Sequence, residues 1–380
     1  MSLVVLPFKS EDPTLVATNL GVAAAQSAVD EVWAVAADEA VAAPVRILAD
    51  DIAAFREKTV RVIIQERIGK LRPGKGDAMN TAISRAAEEG WDRVHFYDAD
   101  ITNFDASWID GAETAADRGY GVVRHRFPRA ATDAMITWMI TRPALARLFP
   151  GSFLPLLDQP LGGEVLLTRV AVESLACSEM VRRRSDWGID TLLTYATSVM
   201  DIGLYEHHVA DGKRHALYGS LHELREMLVE CLDAARSLEG QPGPAPGARH
   251  GSDPAAEAPE DLKRIVAYDV VGSRRLLGMI WPEDEVRLVA HLPDEVAGRL
   301  LSAGPDRVFE QMDAGLWYEV HGFLMGRFVL GDPSWESLAF RLWLMRVLAY
   351  TIQHASQGYE ESMRYLRSTV DLYVTAASSS

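Results

Sequence analysis

Short apolar runs alternate with longer Ala-rich stretches along the first half of the chain. "SLVVLPF" (2–8), "EVWAVAA" (31–37), "VRVIIQER" (60–67) and "RVHFYDAD" (93–100) have the length and β-branched content of strands. Between them "NLGVAAAQSAV" and "TAISRAAEEG" predict helices. Strands alternating with helices predict an α/β fold with a mainly parallel sheet covered on both faces. Further along, "AETAADRGY" predicts a helix and "GVVRHRF" a strand, and "ATDAMITWMITRPALARLF" predicts a helix broken or restarted at Pro143. "PLGGEVLLTR" sets a glycine pair before another apolar strand, and "WGIDTLLTYATSVM" and "IGLYEHHVA" predict one more helix and strand. "SLHELREMLVECLDAARSL" spaces its apolar residues at helical intervals.

The pattern breaks at 239–261, "EGQPGPAPGARHGSDPAAEAPED", which is rich in Pro, Gly and Ala and predicts an exposed linker or mobile loop. Beyond it, "RVFEQMDAGLWYEVHGFLMGRF" and "WESLAFRLWLMRVLAYTIQHA" predict buried helices carrying several aromatics. The expected organisation is an α/β domain over 1–238, the linker, and an α-helical domain over 262–380. That helical domain is expected to serve structure or homo-oligomer formation, and the final "AASSS" to fray.

Composition narrows the function classes. No apolar run reaches the roughly 18 residues needed to span a bilayer. "MSLVVLPFKS" has no basic leader and no cleavage pattern, so a mature cytoplasmic enzyme is expected. Cys177 and Cys231 are too few for a disulfide framework or a thiolate zinc site. A net charge of −16, from 54 acidic and 38 basic residues, disfavours nucleic acid and anionic membranes as partners. Basic residues still concentrate locally in "RHRFPR" and "VRRRSDW", which suit a small anionic ligand.

In open α/β sheets ligands lie outside the carboxyl ends of the strands. Pro7, Phe8, Lys9, Gln65, Asp98 and Asp100 all fall at such ends. Asp98 and Asp100 alternate in an extended segment, so their carboxylates point the same way. Hard oxygen ligands of this kind suit Mg²⁺ or Mn²⁺ shared with a substrate phosphate. "LRPGKGDAMN" lacks the spacing of a Walker loop, but its turn can lay Lys75 against a diphosphate, with Asp77 capping a helix that starts near Ala78. In "DGKRHALYGS", His215 follows a glycine turn and can offer a neutral imidazole to a metal, whereas His207 and His208 sit inside an apolar strand and are expected to be packed or hydrogen-bonded.

The segments "SLVVLPFK", "QERIGKLRPGKGDAMNTA", "HFYDADIT", "GYGVVRHRFPRAATDAMITWMITR", "QPLGGE", "VRRRSDWGIDTL", "HALYGSLHELREMLVEC" and "GDPSWESLAFRLWLMRVLAYT" together resemble the mannosylglycerate synthase family. The resemblance implies a retaining glycosyltransferase with the GT-A, or nucleotide-diphospho-sugar transferase, fold. It further implies mannose transfer from GDP-mannose to D-glycerate or a related small hydroxy acid, giving a compatible solute. By resemblance, Pro7, Lys9, Gln65, Lys75 and Asp98 contact the donor nucleotide, and Asp100 with His215 holds a divalent metal. Tyr218 would lie against the donor phosphates, Leu161 and Gly162 in the sugar pocket, and Arg129, Asp133, Thr137 and Met227 on the acceptor side.

The chemistry of glycerate agrees: a small carboxylate with two hydroxyls wants a cation, which Arg129 supplies as a fork, and hydroxyl partners, which Asp133 and Thr137 supply. Asp133 and Thr137, four positions apart, are expected on one helix face. Asp190 in "SDWGID" is the carboxylate expected nearest the reacting centre, orienting sugar or acceptor rather than forming a covalent intermediate. Where the family pattern has a basic residue after the metal-binding histidine, this chain has Ala216, with Arg214 before it, which puts donor choice in question. GDP-glucose or UDP-glucose donors, glycolate or D-lactate acceptors, a sugar-phosphate nucleotidyltransferase and a non-catalytic sugar-nucleotide-binding protein remain as alternatives.

Overall fold

The computed structural model describes residues 1–215, 219–245 and 247–378 and divides into two compact units. The first comprises Met1–Pro128, Leu157–Ala216 and Pro242–Pro259. Its sheet contains β1 (Ser2–Phe8), β2 (Glu31–Ala36), β3 (Thr59–Ile64), β4 (Arg93–Phe96), β5 (Val122–Arg126), β6 (Val165–Thr168), β7 (Leu204–His208) and β8 (His250–Ser252). They lie in the order β3-β2-β1-β4-β6-β5-β7-β8. All neighbouring pairs are parallel except β4–β6 and β6–β5. The single reversed strand, β6, enters the sheet from the edge at which β4 and β5 leave it. Residues just before β6 therefore share that edge with residues just after β4.

β1 and β2, at the middle of one half of the sheet, are almost wholly apolar and buried because both faces are covered there. On one face Val4, Leu6, Phe8, Val32 and Ala34 pack with Val16 and Leu20 of α1 (Pro13–Ala24), with Val45 of α2 (Glu39–Arg56) and with Trp108 of α4 (Ala106–Asp117). The periodicity did not reveal α2, which buries only Ala42, Val45 and Ala49 and carries Pro44 inside it. α3 (Lys75–Glu89) begins earlier than expected, with Gly74 at its N-cap. Asp77 lies in its first turn, where it accepts from Ile68 N (3.1 Å), Gly69 N (2.7 Å) and Arg67 (2.6 Å). It thus organises the loop before the helix rather than capping a helix after it.

Residues 242–259, within the segment expected to be a linker or mobile loop, supply β8 as an edge strand. Asp253, just beyond β8, accepts from Tyr205 OH (2.6 Å), His207 Nδ1 (2.8 Å) and His208 N (2.9 Å). Its anchors are thus polar groups of β7, in a stretch with few large apolar residues of its own.

The second unit comprises Arg129–Leu156, Leu217–Gln241 and Glu260–Ser380. It is helical, and its longest helices are Pro333–Gln353 and Tyr359–Ser378. Trp317, Trp343, Tyr350, Tyr373, Phe309 and Phe328 are all buried, so these aromatics make the unit's own core. Their polar ends find backbone acceptors, as buried indoles and phenols require. Trp317 Nε1 donates to Met139 O at 2.9 Å and Tyr350 OH to Ala131 O at 2.8 Å. Met139 sits in a π-helical turn, Thr137–Thr141, followed by the helix Arg142–Leu148, with Pro143 near its start. Among the described residues, no helix is long and apolar enough to cross a membrane.

Candidate active site

At the carboxyl edge of the first unit's sheet, five ionisable side chains form an alternating chain of charges. Lys75 Nζ lies 2.8 Å from Asp98 Oδ1 and 3.0 Å from Asp190 Oδ2. Lys213 Nζ lies 2.5 Å from Asp98 Oδ2 and 2.5 Å from Glu164 Oε1. Each partner is delivered by a different element: Lys75 by the first residue of α3, Asp98 by the exit of β4, Asp190 by the helix Ile189–Ser198, Glu164 by the entry to β6, and Lys213 by the loop after β7.

Backbone closeness makes this convergence possible. A Cβ on Gly163 would fall 2.4 Å from both Asp98 Oδ1 and Lys75 Nζ, and one on Gly76 would fall 2.5 Å from Arg184 O. At Gly76 the obstacle is backbone, so only glycine fits; at Gly163 a side chain would have to displace the heads of Lys75 and Asp98. Arg124, also buried, donates to Gly162 O at 2.6 Å and so braces the turn that carries the glycine pair. Trp187 lies beneath the Lys75 ammonium, 5.5 Å from it.

The charges sustain one another. Burial opposes the ammonium of Lys75, yet Asp190, Asp98 and Glu164 hold its pKa above the ordinary lysine value. Burial likewise opposes ionisation of Asp98, but Lys213 and Lys75 outweigh it and hold that carboxyl well below the usual range. In Asp190 and Glu164 burial wins, and both are pushed up despite their lysines.

Asp100 follows Asp98 by two residues at the exit of β4. Its Oδ1 is buried and has no hydrogen-bond partner among the described residues. A carboxylate oxygen left this way costs desolvation free energy unless a cation takes it up. The loop leading to His215 is laced to the segment following Asp100: Thr102 N donates to Arg214 O at 2.8 Å, Asn103 Nδ2 to Gly212 O at 2.9 Å, and Arg214 N to Asn103 Oδ1 at 2.9 Å. The orphaned oxygen of Asp100 is of the hard type that suits a divalent cation keeping other positions for water and phosphate; among the described residues no group of three or more acidic, histidine or cysteine side chains gathers around it.

The remaining residues of interest distribute as follows. Lys9 is exposed past the end of β1, Pro7 is half-buried in that strand, and Gln65 follows β3, its N–H donating to Ala36 O at 2.9 Å. Leu161 and Gly162 precede β6. Tyr218 lies outside the described residues. His207 pairs with Asp253, and His208 Nε2 accepts from Ala256 N at 3.0 Å, so both act in packing the edge strand.

In the second unit, Arg129 donates to Asp133 Oδ2 at 2.9 Å, Thr137 is buried, and Met227 is half-buried in the helix Arg225–Arg236. Asp133 does not share a helix face with Thr137. It lies in a bend, accepts from Ala134 N at 2.6 Å, and precedes a residue held at φ 55°, where a helix cannot begin. The basic clusters are largely committed as well, with Arg126 on Asp158 and Arg184 on Asp186, each at 2.8 Å.

Glu164 and Lys213 were not singled out from sequence. Glu164 follows a glycine pair in "QPLGGE" and Lys213 follows a glycine turn two residues before His215, but neither sits in a pattern that distinguishes it from a solvated charge.

Two family models cover the chain: the mannosylglycerate synthase GT domain matches residues 2–237, and the mannosylglycerate synthase C-terminal domain matches residues 262–370. The chain belongs to the mannosylglycerate synthase family. Mannosylglycerate synthase of Rhodothermus marinus is 45% identical over 372 residues, covering 96% of this chain and 92% of that protein. The enzyme of the same name from Selaginella moellendorffii is 40% identical over 374 residues, covering 97% and 89%. Glucosyl-3-phosphoglycerate synthase of Mycobacterium tuberculosis, solved with phosphoglyceric acid, shares the fold with a TM-score of 0.50 at 22% identity, over 63% of this chain and 80% of that one. The chain is thus a glycosyltransferase with a GT-A fold and a helical C-terminal region.

Proposed function

We propose that this protein transfers mannose from GDP-mannose to D-glycerate, or a closely related 2-hydroxy acid, with retention at the anomeric carbon. The observation that supports this reading most directly is the Asp190–Lys75–Asp98 arrangement at the strand end whose continuation carries the orphaned oxygen of Asp100. An ammonium shared by two carboxylates at a strand edge is placed to exchange one of them for a diphosphate.

In this reading Pro7, Lys9, Gln65 and Asp98 hold the nucleotide, Lys75 takes the diphosphate, and Leu161 and Gly162 border the sugar. Tyr218 belongs to the phosphate side by family resemblance alone. Asp100 and His215 would hold a divalent cation, Mg²⁺ or Mn²⁺, which when bound neutralises charge on the leaving nucleotide.

Departure of the nucleotide develops negative charge on its terminal phosphate and positive charge on the sugar. Lys75 stabilises the former where it grows, without reorganising, because Asp190 already fixes its Nζ. Asp190 faces the latter and orients the sugar. By family resemblance alone, Arg129 would receive the acceptor carboxylate as a fork, with Asp133 and Thr137 on its hydroxyls and Met227 on the acceptor side. The protein would act as a homo-oligomer in the cytoplasm.

The test is product analysis after incubation with GDP-mannose, D-glycerate and Mg²⁺, then with GDP-glucose and UDP-glucose and with glycolate and D-lactate. GDP release that requires both acceptor and metal, with an α-linked product, supports the reading. Release of pyrophosphate from a nucleoside triphosphate would replace it with nucleotidyl transfer.

A further inference from the structure

Lys213 and Glu164 are the two members of the charge chain to which no role has been given. Lys213 is 5% exposed and Glu164 is fully buried. Glu164 Oε1 receives Lys213 Nζ, while its Oε2 has no hydrogen-bond partner among the described residues. A buried ion pair with an unsatisfied oxygen is a poor stabilising device, since a well-packed apolar pair of similar volume usually does as well. A structural role alone accounts badly for it.

Placement points elsewhere. Lys213 lies two residues before His215, on the loop bonded through Gly212 and Arg214 to the segment after Asp100. Its Nζ touches Asp98 Oδ2, while Lys75 Nζ touches Asp98 Oδ1. One carboxylate thus holds two ammonium groups side by side, the arrangement a diphosphate with two charged phosphates can take over. Glu164 holds Lys213 from behind, as Asp190 holds Lys75. The parallel is geometric: each lysine bridges Asp98 and one buried carboxylate.

We infer that Lys213 is a second diphosphate-binding cation, and that Glu164 is the positioning residue that keeps it at Asp98. This rests on the sugar-nucleotide reading above, but on neither its base nor its sugar. The ligand class is a nucleoside diphosphate, free or sugar-linked.

The experiment is titration calorimetry of the full-length protein with GDP, UDP and the matching nucleosides in the presence of Mg²⁺. The wild type is compared with Lys213→Met, the double variant Lys213→Met/Glu164→Gln, and the isosteric Glu164→Gln. Lys213→Met should weaken nucleoside diphosphate binding by about tenfold or more and leave nucleoside binding unchanged. Glu164→Gln should weaken diphosphate binding severalfold with the same indifference to nucleosides. Because removal of a buried lysine strands two carboxylates, the double variant and the isosteric variant decide the matter if the single one does not fold. Diphosphate affinity equal to wild type in any folded Lys213 variant overturns the inference, as does an equal loss for nucleosides. If the wild type prefers UDP to GDP, the donor proposed above is wrong, and Lys213 is still judged by its own ratio.

Discussion

Lys75 and Asp190 meet at 3.0 Å, the first at the opening of α3 and the second in the first turn of the helix Ile189–Ser198. Neither is held there by its local sequence. The contact forms because the Arg184–Asp186 turn packs against the glycines of the α3 entry: Gly69 and Gly76 approach Ser185 and Arg184 so closely that a Cβ at either would overlap their backbone. Side chains placed by two independent backbones in contact lose little further freedom on binding, which suits a group that must stabilise charge without moving.

Lys75→Met should lower kcat/KM by roughly a hundredfold or more, because one cation serves both Asp98 and Asp190. It should also lower the melting temperature, since two buried carboxylates lose their partner. Steady-state kinetics with a thermal melt check both. An unchanged kcat/KM in the folded variant would remove Lys75 from the site.

Asp190→Asn keeps shape while removing charge. Turnover should fall by about a hundredfold, with a smaller change in the KM for donor, as expected of a group that acts on the reacting sugar rather than on the nucleotide. Turnover at the wild-type level would show that Asp190 only anchors Lys75.

Gly163→Ala tests the packing directly. The added methyl would meet Asp98 and Lys75 at 2.4 Å, so the ion pair must open or the turn must shift. Donor affinity should drop at least tenfold, and the melting temperature should fall by a few degrees, as over-packing of a close contact costs about 1–3 kcal/mol. Gly151→Ala, whose added methyl would meet no described residue beyond its chain neighbours within 4 Å, is the control and should be silent.

Acid should destabilise both units through buried neutral histidines. Burial lowers His125 from its ordinary 6.5 to about 3, and burial with Arg147 nearby does the same to His321. A depressed pKa means that stability is complete above the free value and is lost as pH falls from about 6.5 towards 3, at up to about 1.4 kcal/mol per pH unit for each ring. Glu113 continues the loss: burial opposes its charge, but His95, Ser2 and Arg93 hold it at about 2 against an ordinary 4.5, so its contribution goes as pH falls from 4.5 to 2. Urea midpoints measured from pH 8 to pH 4 should decline, and His125→Phe should flatten the decline above pH 4.5. A flat profile in the wild type would contradict the burial of these rings.

Chelation should abolish nucleotide binding, and Asp100→Ala should abolish the response to added Mg²⁺. Calorimetry before and after EDTA treatment reads this without relying on turnover. Full GDP affinity in the metal-free protein would exclude a role for Asp100 and His215 as metal ligands.

The amino-acid order alone was enough to locate seven of the eight described strands, because each contains a short apolar run, longest in β1 and β2 where both faces are buried, and that signal is local. The same locality exposed Lys75, Asp98 and Asp100, which lie where such runs stop or turn. It failed for β8, which is anchored by the bonds of Asp253, just beyond it, to β7 rather than by apolar content, and for Asp133, which a left-handed residue separates from the helix. It could not reach Glu164 or Lys213. Their meaning depends on β6 running against its neighbours, which sets the entry of one strand beside the exits of others. Strand direction and order are properties of the closed sheet, paid for by contacts between distant segments, and no single segment carries them.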